Sequence, residues 1–345
     1  MLTLFFFSHS LSASFRFRQM VLETISGMEA SLVGRGHSYA MGRLSAMRDA
    51  AGGAQEVMGG VGGYLAMKQL KDRIEQDYDS VVADLEALRS SLFHKGSNML
   101  VNLTADDKTL TSIEKEVQGF VDSLPSRGVV GTEQWYEGKD SSLLLPKRNE
   151  LLIVPTQVSY VGKATNLYKD GQLERSGSSM VVSKLLSTTW LWDRVRVVGG
   201  AYGGFGSFDS QSGLFSFASY RDPNLGSTLT AYDGSAQFLK ELKLDKDELT
   251  KAIIATVGDV DSYSLPDQRG YTALVRHLLG ITDEERQQRR DEILSTTVRD
   301  FHEFGEALDQ ALASNSQVSA VTSKDMAAQA SEEMKDLGFI SQQIL

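Results

Sequence analysis

The segment WDRVRVVGGAYGGFGSF (192–208), followed by LFSFASYRDPN (214–224), holds the residue types of this chain best suited to chemistry. Arg196 and Tyr202 flank the pair Gly199–Gly200. A guanidinium holds a peptide carbonyl or carboxylate, and a phenol donates to a developing oxyanion. On extended backbone an even spacing of six puts both side chains on one face, and a bend at the glycines draws them closer. Glycine in a strand also lets an extended peptide approach the main chain and add to a sheet edge, which makes Gly199 and Gly200 candidate substrate-binding positions. A purely structural reading explains the same glycines as bends and close backbone packing. Arg194 is the rival cation, eight residues before Tyr202. A phosphate loop needs Lys-Ser/Thr after its last glycine, and Phe205, Gly206 and Ser207 stand there instead. The glycines precede a hairpin strand rather than open a helix, which argues against a dinucleotide site.

Other chemistry finds little support. The chain has no cysteine, so no disulfide, thiolate nucleophile or Cys-based metal site is available. The five histidines are His9, His37, His94, His277 and His302, and none lies in His-x-x-Glu-His or His-Glu-x-x-His. The nearest approach, His302-Glu303-Phe304-Gly305-Glu306, lacks a second His, and a catalytic zinc needs about three protein ligands. His302 is expected on the solvent face of a charged helix, and His37 at a helix start or in packing. No metal ligand is expected in this sequence.

The elements that position these residues follow from apolar periodicity. Helices are expected over 20–33, 37–50, 64–76, 78–93 and 107–124, with Val21, Ile25, Met28 and Leu32 on one face of the first. SNMLVNLT (97–104) alternates Met99, Val101 and Leu103, the pattern of a strand. Residues 125–148 carry Gly, Ser, charge and Pro146 without periodicity, a linker. A strand region is expected over 150–164 and a helix over 178–192. A hairpin follows, 201–208 with 214–220, whose loop DSQSG ends on a glycine free to take positive φ. Helices are expected at 225–242, 245–257 and 283–312, then a strand at 316–322 and a helix near 324–336. Asp245 with Glu248, and Thr282 with Glu285, have capping-box spacing. The fold class is α+β: two related layered domains, each an antiparallel-rich sheet packed with helices. The expected boundaries are a tail at 1–19, one domain at 20–124, a linker at 125–148 and a second domain at 149–345.

The net charge of −10 disfavours nucleic acid and anionic membrane as partners and favours cationic ligands. Acidity for solubility alone explains it equally well. MLTLFFFSHSLSASFRFRQ (1–19) is Ser- and Arg-bearing and acid-free, like an organelle transit peptide or a misplaced start. Its apolar run is too short to span a bilayer.

RVVGGAYGGFGSFDSQSGLFSFASYRDPN resembles the last domain of presequence proteases, zinc metallopeptidases of the pitrilysin/insulinase type. GRGHSYAMGRLSA (34–46), GGAQEVMGGVGGY (52–64) and SNMLVNLT resemble the domain before it, in the same order. The resemblance implies the C-terminal half of a clamshell, in which residues 20–124 are part of a third domain and 149–345 the fourth. It implies a missing N-terminal half that binds zinc, the cofactor of the full-length enzyme. This half would close the chamber and hold short, unfolded, cationic peptides such as cleaved organellar targeting sequences, in the mitochondrial matrix or chloroplast stroma. Arg196 would then anchor the peptide and Tyr202 would be catalytic. The chain alone is expected to be inactive. The alternative is a non-catalytic structural or peptide-binding subunit of the same fold family.

Overall fold

Regular elements follow the apolar spacing over most of the chain, and the computed structural model describes residues 14–95, 99–126 and 143–345. The N-terminal part is helical: α1 (Ser14–Gly34), α2 (Gly36–Ala46), α3 (Ala50–Gly59), α4 (Val61–Gln76), α5 (Tyr78–Leu92) and α6 (Asp107–Ser123). Aspartate side chains start three of these helices. Asp49, Asp77 and Asp106 accept backbone N–H bonds from Gly52, Ser80 and Thr109, satisfying donors the first turn leaves open.

Strands β1 (Glu150–Ile153) and β2 (Tyr160–Asn166) follow, then α7 (Ser178–Leu186), which continues without a break as a π-helix over Ser187–Val198. The chain proceeds through β3 (Gly203–Phe208), β4 (Leu214–Tyr220), α8 (Gly226–Glu241), α9 (Lys246–Val260), α10 (Pro266–Leu279), α11 (Asp283–Leu294), α12 (Val298–Asn315), β5 (Gln317–Thr322), α13 (Lys324–Glu333) and β6 (Ile340–Gln343). The strands form one mixed sheet in the order β3-β4-β2-β5-β1-β6. β1 runs parallel to β5 and β6, and the remaining pairs are antiparallel.

One face of the sheet carries the main core. Phe215 and Phe217 of β4 meet Phe301, Phe304 and Leu308 of α12, Tyr232 and Leu239 of α8, and Leu191 and Val195 of the π segment, all fully or nearly fully buried. α2 covers the other face, where Gly162 leaves room for Leu44 and Ala40. A buried ion pair ties this layer to the sheet. The Arg43 guanidinium donates to both Glu150 oxygens at 2.7 Å and to Glu56 at 3.0 Å.

The described residues group into two compact units, each composite along the chain. One takes in 14–26, 65–95, 99–126 and 263–282; the other takes in 27–64, 143–262 and 283–345. This differs from the expected succession of 20–124, 125–148 and 149–345, because α2 packs on the sheet of the later segment. The class is α+β, but among the described residues there is one sheet rather than two. Residues 99–104 form no strand; the Asn102 amide there donates to the Gly270 carbonyl of α10, a helix the sequence did not announce. The strand region 150–164 divides around Pro155, and the helix expected over 283–312 breaks at 295–297. At that break Asp300 accepts from the backbone N–H and the hydroxyl of Thr297. The Asp245–Glu248 capping box is present as expected. The hairpin is also present, with Gly213 at φ +76°. Residues 1–13, and most of the expected linker, lie outside the described residues.

Candidate functional site

The site begins with an i,i+4 pattern. Leu191 and Val195 are buried, while Trp192, Asp193, Arg194, Arg196, Val197 and Val198 are exposed. That spacing is helical. The extended backbone expected for 192–200 is therefore corrected: Arg196 sits in the last turn of the π segment. Trp190 pairs with Arg194 and Trp192 with Arg196, the guanidinium carbons lying 5.0 and 4.1 Å from the ring centroids. Such a stack is attractive because the ring face is negative. It holds Arg196 along the helix surface while leaving its donors open to solvent.

The helix ends in a tight turn. The N–H of Gly199 donates to Arg194 O at 3.1 Å, Gly200 to Arg196 O at 3.0 Å, and Ala201 to Val195 O at 3.1 Å. Gly200 has φ +78°, a conformation only glycine adopts freely. The Gly199 carbonyl accepts from the Asn224 amide. The N–H groups of both glycines are thus spent inside the turn and are not offered to an added strand. Their role in this structure is to reverse the chain between Arg196 and Tyr202. Tyr202 follows with its N–H on Tyr220 O at 3.0 Å and its ring 67% exposed, so the phenol faces solvent.

The later glycines serve packing. A Cβ on Gly204 would lie 2.7 Å from Val195 Cβ and 3.0 Å from Leu191 O, so this glycine lets β3 lie against the π segment. β3 is the edge of the sheet. Its Gly206 N–H and C=O meet the Ser187 hydroxyl at 2.9 and 3.0 Å. A groove of about 750 Å³ runs beside this edge, lined by Met180, Lys184, Trp192, Phe205, Phe208 and Asp259 among others. It reaches Trp192 but neither Arg196 nor Tyr202.

Sequence reasoning missed Arg221. Its guanidinium carbon lies 5.8 Å from the Tyr202 ring and 5.6 Å from the Tyr220 ring. The signal was present in SYRDPN, but nothing in that string announces the positive φ that aims the side chain. Of the histidines, His302 is half-buried and its ring bonds the Leu242 carbonyl at 2.9 Å, rather than facing solvent. His37, on the first turn of α2, lies edge-on to Tyr220 at 5.0 Å. Burial first, and then the charge of Arg35, hold its pKa below the usual histidine value. Among the described residues no group of three or more His, Asp or Glu is placed to hold a metal.

Comparison with known proteins agrees with this architecture. The family model of the PreP C-terminal domain matches residues 149–324, and that of the associated region of M16 peptidases, subfamily C, matches residues 1–70. Presequence protease 1, chloroplastic/mitochondrial, of Arabidopsis thaliana is 50% identical over 294 residues, covering 85% of this chain and 26% of that protein. The mitochondrial presequence protease of Saccharomyces cerevisiae is 27% identical over 287 residues, covering 81% of this chain and 28% of that protein. The chain thus spans about a quarter of the length of these relatives. Among solved structures, pitrilysin superposes with a TM-score of 0.62 at 13% identity, covering 96% of this chain and 34% of that one. A putative M16-like peptidase from Alicyclobacillus acidocaldarius superposes with a TM-score of 0.53 at 11% identity, covering 92% and 72%. These two likenesses carry the fold, and the sequence matches carry the kinship: the chain belongs to the presequence protease family of M16 peptidases.

Proposed function

We propose that this chain is the substrate-binding, chamber-closing C-terminal half of a metalloendopeptidase that degrades short unfolded peptides, organellar targeting sequences among them. One observation carries the reading. A tight glycine turn separates an exposed guanidinium stacked on Trp192 from an exposed phenol that begins the edge strand. Arg196 then holds a peptide carbonyl or carboxylate, and Tyr202 donates its phenolic hydrogen to the carbonyl oxygen under attack. The names of the relatives support a place in an organelle, the mitochondrial matrix or the chloroplast stroma. The net charge of −10 suits cationic peptides.

The family's zinc does not fit the residues described here. They offer no metal-ligand group, and the sequence has no His-x-x-Glu-His. Zinc would be held by the N-terminal half, the partner across the chamber, and no step here is routed through it. On this proposal the chain alone does not cleave peptides. In the domain order of the family, residues 20–124 belong to the third domain and 149–345 to the fourth.

Joining the chain to the N-terminal portion of the Arabidopsis relative gives an enzyme in which both side chains can be tested. Tyr202→Phe and Arg196→Ala should lower turnover by about 10²-fold or more, the usual cost of losing one oxyanion donor, with the unfolding midpoint unchanged. Wild-type turnover in both variants would remove these residues from the site.

A further inference from the structure

Arg221 occupies an irregularity in the sheet. The β2–β4 ladder pairs Gly162 with Ala218, and the next bridge pairs Ser159 with Asp222. Two residues of β2, Tyr160 and Val161, therefore face three of the other chain, Ser219, Tyr220 and Arg221. One extra residue in one strand is a β-bulge. Arg221 is the bulged residue with a left-handed backbone, at φ +48°, a conformation that costs a non-glycine residue energy.

The surrounding structure holds the bulge from several sides. Displaced from the ladder, the Val161 N–H donates to the buried Ser219 hydroxyl at 3.1 Å. The Val161 carbonyl accepts from the buried Tyr232 hydroxyl at 3.0 Å. Beyond the bulge, Ser159 and Asp222 exchange both backbone bonds, at 2.7 and 2.8 Å. The buried Asp222 carboxylate takes the Thr228 hydroxyl at 2.7 Å and the Asn224 N–H at 2.9 Å. A strained residue persists where its surroundings over-determine it, and such residues cluster at ligand sites.

The bulge turns an exposed guanidinium toward the rings of Tyr202 and Tyr220. Among the described residues no carboxylate forms an ion pair with Arg221. Arg35 lies close enough to bear on His37 of the same cluster, so a locally cationic spot stands out on an acidic chain. We propose that Arg221 is a carboxylate-binding residue, recognising a negatively charged group of the peptide that Tyr202 contacts. The chemistry is a planar guanidinium fork between two phenol rings, suited to bidentate binding of a carboxylate. That carboxylate is either the C-terminus of the peptide or an acidic side chain. The inference rests on the reading of Tyr202 as a peptide-binding residue.

Three fluorescein-labelled basic peptides separate the cases, with binding to the purified 345-residue chain followed by anisotropy. One has a free C-terminal carboxylate, one a C-terminal amide, and one an amide with a single internal Glu. The chain should prefer one carboxylate-bearing peptide over the plain amide by about tenfold, and which of the two it prefers identifies the source. Arg221→Gln should abolish the preference, and Arg221→Lys should keep a fraction of it. Arg221→Gly keeps the left-handed backbone, so it should fold with an undiminished melting temperature and still lose the preference. Equal binding of all three peptides, or a preference that survives in the Gln and Gly variants, overturns the assignment and leaves the peptide-binding reading standing. Failure of every peptide to bind overturns that reading and the assignment with it.

Discussion

The guanidinium of Arg196 lies 4.1 Å above the ring of Trp192, one helical turn before it. The stack limits the arginine to a narrow set of orientations before any peptide arrives. Preorganised side chains lose less freedom on binding. Replacing Trp192 by Ala should therefore weaken peptide binding by about three- to fivefold, the equivalent of the 0.5–1 kcal/mol of an exposed cation–π contact. Arg196→Ala should weaken it further, and the double variant should be no worse than Arg196→Ala alone. Titration calorimetry on the four proteins checks this; additive losses would uncouple the two residues.

The Arg43–Glu150–Glu56 cluster sets an acid limit on stability. Burial alone would raise the Glu150 pKa, but the two hydrogen bonds and charge of Arg43, with Arg148 and Ser319, leave it below the usual carboxylate value. The unfolded chain thus takes up this proton at a higher pH than the folded protein does. The stabilisation is fully present above the ordinary glutamate range and is lost as pH falls through the lower, folded-state value. Asp222 works in the opposite sense, since burial raises its pKa despite the bonds from Thr228, Asn224 and Ser219. Urea denaturation at pH 7 and at pH 3 should show stability falling with acid in wild type and falling less in Glu150→Gln. At pH 7, Arg43→Met should destabilise by about 3–5 kcal/mol, the cost of stranding buried charges.

Glycine substitutions distinguish turn from packing. At Gly200, φ +78° makes Ala strained by about 1–2 kcal/mol, although the nearest atom to its Cβ is 3.6 Å away. At Gly204, Ala would press on Val195 at 2.7 Å and should cost about 1–3 kcal/mol by overpacking. Val195→Ala should relieve the second defect and leave the first untouched. Chemical denaturation of the single and double variants reads this directly; rescue of Gly200→Ala by Val195→Ala would contradict the assignment.

The hairpin was legible because DSQSG and Gly213 fix its turn, and the helix at 246–260 because Asp245 and Glu248 mark its start. The geometry around Arg196 was not. Val195, Val197 and Val198 are β-branched and suggest a strand, while the stronger signal lay in the spacing of Trp190 with Arg194 and Trp192 with Arg196. Residues 99–104 show the converse failure. Alternation of Met99, Val101 and Leu103 describes one face of an extended segment but supplies no partner strand, and all three are exposed. Arg221 was invisible for a different reason: a bulge arises from two ladders slipping by one residue, which no local pattern records. The contribution of 27–64 to the sheet unit is likewise non-local, carried by Gly162 beneath Leu44 and by Arg43 reaching Glu150.

Photocrosslinking tests most directly whether Arg196 and Tyr202 serve one bound peptide. A benzophenone amino acid placed at position 202, and separately at 196, would be irradiated with a labelled basic peptide bound to the chain. Mass spectrometry should find both positions joined to the same peptide within a few residues of each other. Efficient binding with crosslinks at neither position would contradict the account.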